Sequence, residues 1–161
     1  MLFMVVEVVG LEADRAVFTS FVEEVEPRLR RALSALRGRE VGRDATAEAL
    51  AWAWANWPAV QKMTNPAGYL YRVGSSRTRP RRERRWPASV PEVSQGFEPG
   101  LVPALARLTE RQRTAVVLIH GCGWTYQEVA EAMGLSRSSI GTHVKRAMAQ
   151  LRQELGVDDD G

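Results

Sequence analysis

The sequence predicts an all-α protein: two small helical domains joined by a Pro/Gly-rich linker, the second containing a helix-turn-helix. Three observations predict it. Apolar residues recur with a period near 3.6 along most of the chain, and no strand-rich region breaks that pattern. Helix-capping chemistry stands where the periodic stretches begin, as in Asn65-Pro66, Thr109 with Gln112, Thr125 with Glu128, and Ser136. Between the halves, PASVPEVSQGFEPG at residues 87–100 holds three Pro and two Gly without periodicity. The expected organisation is therefore a helical domain over residues 11–86, a linker over 87–100 and a second helical domain over 101–157.

In the first half, Phe18, Phe21, Val22, Val25, Leu29, Leu33 and Leu36 mark a helix from Val17 to Leu36. Pro27 inside it removes one hydrogen bond and is expected to kink or divide it. The preceding MLFMVVEVVG is apolar but lacks a basic flank and is cut by Glu7. It reads as a strand or loose lead-in rather than a signal peptide. Gly38 and Gly42 bracket a connection to a second helix, Arg43 to Trp57, with Ala47, Leu50, Trp54 and Trp57 as its stripe and Trp52 on another face. Pro58 ends it. After the loop Ala59–Thr64, Asn65 caps a third helix with Pro66 at its first position and Tyr69, Leu70 and Val73 along it; Pro80 stops it.

In the second half, the Thr109–Gln112 capping box precedes Ala115, Val116, Leu118 and Ile119. Gly121 and Gly123 make a turn, and the Thr125–Glu128 box opens a short helix with Val129, Ala130 and Met133, closed by Gly134. Ser136 caps the last helix, whose buried stripe is Ile140, Val144, Ala147, Met148, Leu151 and Leu155. The run YQEVAEAMGLSRSSIGTHVKRAM has helix-turn-helix spacing: Ala130 allows close approach, Gly134 supplies the turn, and Val129, Met133, Leu135 and Ile140 fill the shared core. With Ile140 and Val144 inward, 100° per residue points Ser138, Thr142 and Lys145 outward, with Ser139 and Arg146 beside them. Arg137 stands near the helix N-terminus and His143 at the edge of that face. Short hydroxyls and long cations are the side chains that meet base edges and phosphates. The bland alternative is a helical hairpin with a polar surface.

Composition narrows the chemistry. The 161 residues are 45% hydrophobic and 25% charged, an ordinary globular balance. One cysteine, Cys122, and two histidines, His120 and His143, provide no disulfide framework and no metal-ligand set. No nucleophile–base pair and no phosphate-binding glycine loop is present, so no catalytic residue, metal or cofactor is expected, and no enzyme. No apolar run approaches the roughly 18 residues that cross a bilayer, so a soluble, cytoplasmic protein without membrane insertion is expected. The terminal Asp158, Asp159 and Asp160 read as a frayed, solvated end. Twenty of the 22 cations are Arg, and residues 58–86 hold eight cations against the single acid Glu83. Such a segment suits a polyanion, because each neutralised phosphate releases counterions; a solvated Arg-rich helix end is the alternative.

These motifs resemble a bacterial RNA polymerase sigma factor of the extracytoplasmic-function type, from about Phe18 to Leu155. LARLTERQRTAVVLIHGCGWTYQEVAEAMGLSRSSIGTHVKRAMAQLR is similar throughout to the family's region 4. DATAEALAWAWANWP resembles the core-polymerase helix of region 2, and NPAGYLYRVGSSRTRPRR resembles its minus-ten helix. The resemblance implies that the second domain meets the minus-thirty-five element and the polymerase beta flap. It implies that Asp44 and Glu48 on the first domain meet the beta-prime clamp helices, with Trp52 a further candidate for that contact. Ala45, Thr46 and Ala47 replace the family's usual Leu-Val-Gln stretch, Ser76 stands where Asn is frequent, and Pro80 falls where the helix usually continues. Promoter melting requires holding an unstacked base, which a polar loop, aromatics and cations in sequence supply. Lys62, Asn65, Tyr71, Arg72, Arg77 and Arg79 are the candidates, with Tyr71 rather than Tyr69 expected as the exposed ring. The implied partners are core RNA polymerase, double-stranded and locally melted promoter DNA, and an anti-sigma factor. Two other readings stay open: a LuxR-like helix-turn-helix regulator, and a sigma-like decoy that binds polymerase or an anti-sigma factor without reading DNA.

Overall fold

The computed structural model describes residues 1–78, 86 and 98–157. Among these residues every regular element is helical: α1 (Leu2–Arg37), α2 (Arg39–Ala55), α3 (Trp57–Val60), α4 (Pro66–Arg77), α5 (Leu101–Arg107), α6 (Glu110–Val116), α7 (Tyr126–Met133) and α8 (Arg137–Leu155). A π-turn, Val117–Gly121, prolongs α6. None of these helices is long and apolar enough to cross a membrane. Arg79, Pro80, most of the expected linker and the Asp158–Asp160 tail lie outside the described residues.

Three expectations for the first half are corrected. The N-terminal segment is neither strand nor lead-in: α1 begins at Leu2, and its first 16 residues, Leu2–Val17, are exposed. Pro27 does not divide α1; it is exposed, so the lost hydrogen bond falls on the solvent side. The buried face of α2 is Gly42, Ala45, Thr46, Ala49 and Ala53, while Ala47 and Trp54 of the expected stripe are exposed. The reason is close packing. A Cβ built on Gly42 would lie 2.4 Å from the Ser34 backbone nitrogen in α1, and one on Gly74 in α4 would lie 2.7 Å from the Ala45 carbonyl oxygen. Helices this close admit only small residues between them, so the larger side chains turn outward and pack at the edges. Trp57 is buried against Phe18 and Phe21, with ring centroids 5.0 and 5.1 Å apart, and Trp54 covers Phe18 at 4.9 Å.

The second half follows its capping signals. Thr109 and Thr125 each accept a hydrogen bond from the backbone N–H three residues on, and Gln112 and Glu128 accept in return. Gly134 takes a left-handed conformation, φ 65°, a turn geometry open to a residue without Cβ. Ser136 Oγ caps α8 by accepting from Ser139 N–H at 3.1 Å. Ile140, Val144, Ala147 and Leu151 are buried, as the period requires.

The halves are not held apart. The largest apolar cluster includes Leu29, Leu33 and Leu70 from the first half and Leu118, Trp124, Val129 and Ile140 from the second. A smaller cluster, Ala104, Leu108, Val116, Ala147 and Leu151, joins α5, α6 and α8. Helix α4 packs directly on α7.

Candidate nucleic-acid interface

The outward face of α8 is built as its sequence indicates. Arg137, Ser138, Thr142, Lys145 and Arg146 are exposed, and Ser139 and His143 are half-buried at its edges. Thr142 Oγ1 donates back to the Ser138 carbonyl at 3.2 Å, and Ser136 Oγ lies within hydrogen-bond distance of the Ser138 and Ser139 hydroxyls. The hydroxyls are thus oriented along the first turn of the helix, the part that enters a groove first. Gly141 has open space where a side chain would stand, so that face is free to approach a surface closely.

The candidates on the first half divide. Lys62, Arg72 and Arg77 are exposed, and Asn65 caps α4, its Oδ1 accepting from Gly68 N–H at 3.1 Å. The aromatic expectation is reversed: Tyr71 is 6% exposed, whereas Tyr69 is 40% exposed and lies 5.2 Å from the half-buried ring of Trp52. Tyr71 falls with Ala67, Leu70 and Gly74 on the buried face of α4, where it meets Trp124 of the second half. Burial pushes the Tyr71 phenol above its ordinary pKa, so it stays neutral. Asp44 and Glu48 are exposed and line an open groove of about 550 Å³ with Ala47, Arg77 and Thr78. Arg77 Nη1 donates to Glu48 Oε2 at 3.4 Å across it. A cation assigned to DNA and a carboxylate assigned to polymerase therefore touch. His120 is exposed and Cys122 half-buried in the turn after α6, and no metal-holding cluster occurs among the described residues.

The seam between the halves contains residues that sequence reasoning missed. Trp124 is buried, its ring 5.7 Å from that of Tyr71 in an edge-on arrangement. The Arg28 guanidinium stands 5.3 Å from the Trp124 ring centroid and donates to Glu128 Oε1 at 2.9 Å. Trp86 donates its Nε1–H to the Ala35 carbonyl at 3.0 Å, and the Arg113 guanidinium lies 5.2 Å from its ring. A tryptophan in the turn before a capped helix, without a periodic apolar partner of its own, was the one available signal for Trp124. Burial alone would raise the Glu128 carboxyl; the Thr125 N–H and the Arg28 guanidinium outweigh it and hold it below the ordinary 4.5. A carboxyl depressed in the folded state stabilises the fold above its ordinary value, and that contribution is lost as pH falls through the lowered one. The thermal-melt difference between the wild type and Glu128→Gln, which keeps the capping box, is therefore expected to be constant near neutrality and to shrink below about pH 4.5. A difference unchanged at acid pH counts against this role for the carboxylate.

The class the fold defines is a helical protein of two packed halves whose last helix presents hydroxyls and cations from a helix-turn-helix. Residues 101–151 match the family described as Sigma-70, region 4. Over 59 residues the chain is 37% identical to the RNA polymerase sigma-E factor of Streptomyces antibioticus, a match that covers 37% of this chain and only 33% of that protein. The chain shares its fold with the sigma factor RpoE, solved in complex with the anti-sigma factor NepR from Bartonella quintana. That likeness has a TM-score of 0.68 and 23% identity, over 88% of this chain and 98% of that one. It shares its fold also with CnrH, solved in complex with the cytosolic domain of CnrY, with a TM-score of 0.65 and 22% identity over 90% and 91% of the two chains. Residues 101–151 thus carry a Sigma-70 region 4 module, and the chain as a whole shares its fold with these two proteins.

Proposed function

We propose that this chain is a promoter-specificity subunit that binds core RNA polymerase, recognises two promoter elements and nucleates strand opening. The observation that carries the reading is the outward α8 face, Arg137, Ser138, Thr142, Lys145 and Arg146, on a region 4 helix-turn-helix. In this reading residues 101–157 meet the minus-thirty-five element and the beta flap, and residues 11–86 meet the clamp helices and the minus-ten element. Asp44 and Glu48 are exposed along one groove, as a polymerase contact requires. Lys62, Arg72 and Arg77 supply backbone neutralisation on the first half, and Tyr69 with Trp52 offers the ring accessible in this arrangement. An anti-sigma partner is supported by the two fold relatives, each solved with a bound second protein.

Run-off transcription with purified core polymerase and a promoter library tests the reading: transcripts should start at a defined promoter class only when the chain is added. Asp44→Ala with Glu48→Ala is expected to weaken capture of core polymerase by about tenfold or more, the scale of losing two charged interface contacts. Capture at wild-type strength would remove α2 from the polymerase contact.

A further inference from the structure

Helix α1 has two halves of different character. Its C-terminal half buries Val25, Leu29, Ala32 and Leu33 against the rest of the fold. Its N-terminal half, Leu2–Val17, is exposed throughout and strongly apolar. At about 100° per residue, Val5, Val9, Leu2, Ala13, Val6 and Val17 fall in that order across an arc of about 120°. All six are exposed, the large ones from 55% for Val17 to 81% for Leu2. No charged residue falls inside the arc. Glu12 borders it on one side, and Glu7 and Asp14 lie past Phe3 on the other. Beyond Val17 the same side of the helix carries exposed Ser20, Glu24 and Arg31, so the apolar strip stops where the body begins. The strip lies roughly opposite the buried stripe, which puts the fold's own core on the far side of α1 from it. A contiguous apolar strip on an exposed helix marks an interaction surface.

We propose that this strip is a homodimer contact, in which the free halves of two α1 helices pair antiparallel. Three features favour a second copy as its occupant. Each body stands behind its own helix, so a two-fold axis brings the two strips together and keeps the bodies apart. Setting Val6 of one copy beside Val9 of the other places Glu12 and Asp14 of each against the first turn of its partner. That turn has no side-chain cap and no acidic residue, so the positive end of its helix dipole is uncompensated, and the facing acids supply the missing charge. A bilayer surface fits less well, because Glu7, Glu12 and Asp14 against the single cation Arg15 are repelled by anionic headgroups. The contact is about 24 Å long at 1.5 Å per residue. Its area falls at the small end of specific interfaces, so the dimer should dissociate in the micromolar range.

Sedimentation equilibrium of the full-length chain, without DNA or polymerase, measures this association. The wild type should exchange between monomer and dimer with a dissociation constant of about 10–100 μM. Val9→Glu, at the centre of the strip, should weaken the dimer by about tenfold or more, because it buries a charge without a partner. Val8→Glu makes the same change on the charged side and should stay within about twofold of wild type on the geometry of a single helix. Glu12→Gln with Asp14→Asn should weaken the dimer by about fivefold through the lost dipole contacts. In a parallel pair the same acids would lie side by side, and neutralising them would tighten it. All four positions are exposed, so the variants should fold, which circular dichroism checks. A wild type that stays monomeric at several hundred micromolar overturns the proposal, as does Val8→Glu disrupting the dimer as strongly as Val9→Glu. A tighter dimer after neutralising the acids overturns the antiparallel arrangement. Co-sedimentation with phosphatidylcholine–phosphatidylglycerol vesicles that Val9→Glu abolishes would make a bilayer the occupant and overturn it too.

Discussion

Gly42→Ala is expected to be among the most damaging single methyl additions in the chain. The new Cβ would stand 2.4 Å from the Ser34 nitrogen and 2.5 Å from its Cα, and these are backbone atoms that no rotamer change can move aside. Relief requires α1 and α2 to part, which loosens the small-residue face of Ala45, Thr46, Ala49 and Ala53. Overpacking of this kind costs about 3 kcal/mol, and for a chain of this size that is a fall of roughly 6–12 °C in melting temperature. Gly10→Ala is the matched control. Gly10 is helical and has nothing within 4 Å of its Cβ position, so the same methyl is expected to stabilise by about 0.5–1 kcal/mol through helix propensity. Differential scanning calorimetry of the two variants reads opposite signs. A wild-type melting temperature for Gly42→Ala would mean that α1 and α2 do not approach as described.

The largest expected effect on DNA binding comes from removing Arg137, Lys145 and Arg146 together. All three are exposed on α8, and none has an acidic partner among the described ion pairs. As phosphate contacts each contributes about 0.9 to the slope of log affinity against log salt. Replacing all three with Ala should flatten that slope by about 2.7, so the wild type should lose about 40-fold more affinity than the variant between 50 and 200 mM salt. Fluorescence anisotropy of the polymerase complex on promoter DNA across a salt series measures this. An unchanged slope would show that this face does not meet the phosphate backbone. Ser138 and Thr142 carry no net charge, so their replacement should alter sequence preference and leave the salt slope in place.

How far the site was legible depends on which elements make it. The α8 face needed one helix, one cap and one buried stripe, all local in sequence, and each stands where the period puts it. The α4 strip needed more. Nothing within Tyr69–Val73 says which of two rings faces solvent, because both flank the buried Leu70 and the decision is made by Trp124, some fifty residues away. On α2, hydrophobicity favoured the Trp54 and Leu50 stripe. The structure buries alanines instead, because the neighbouring helices lie too close for anything larger.

What this sequence determined by itself was the helical class, the capped starts of α4, α6, α7 and α8, the left-handed turn at Gly134 and the outward face of α8. Each depends on residues within a turn or two of one another, where propensity and capping act without the rest of the chain. Tertiary structure alone decided that α1 runs unbroken from Leu2, that α2 buries its small face, and that the two halves close over Tyr71. Those outcomes follow from how near whole helices approach and from pairs such as Arg28 and Glu128, a hundred residues apart, which no local pattern encodes.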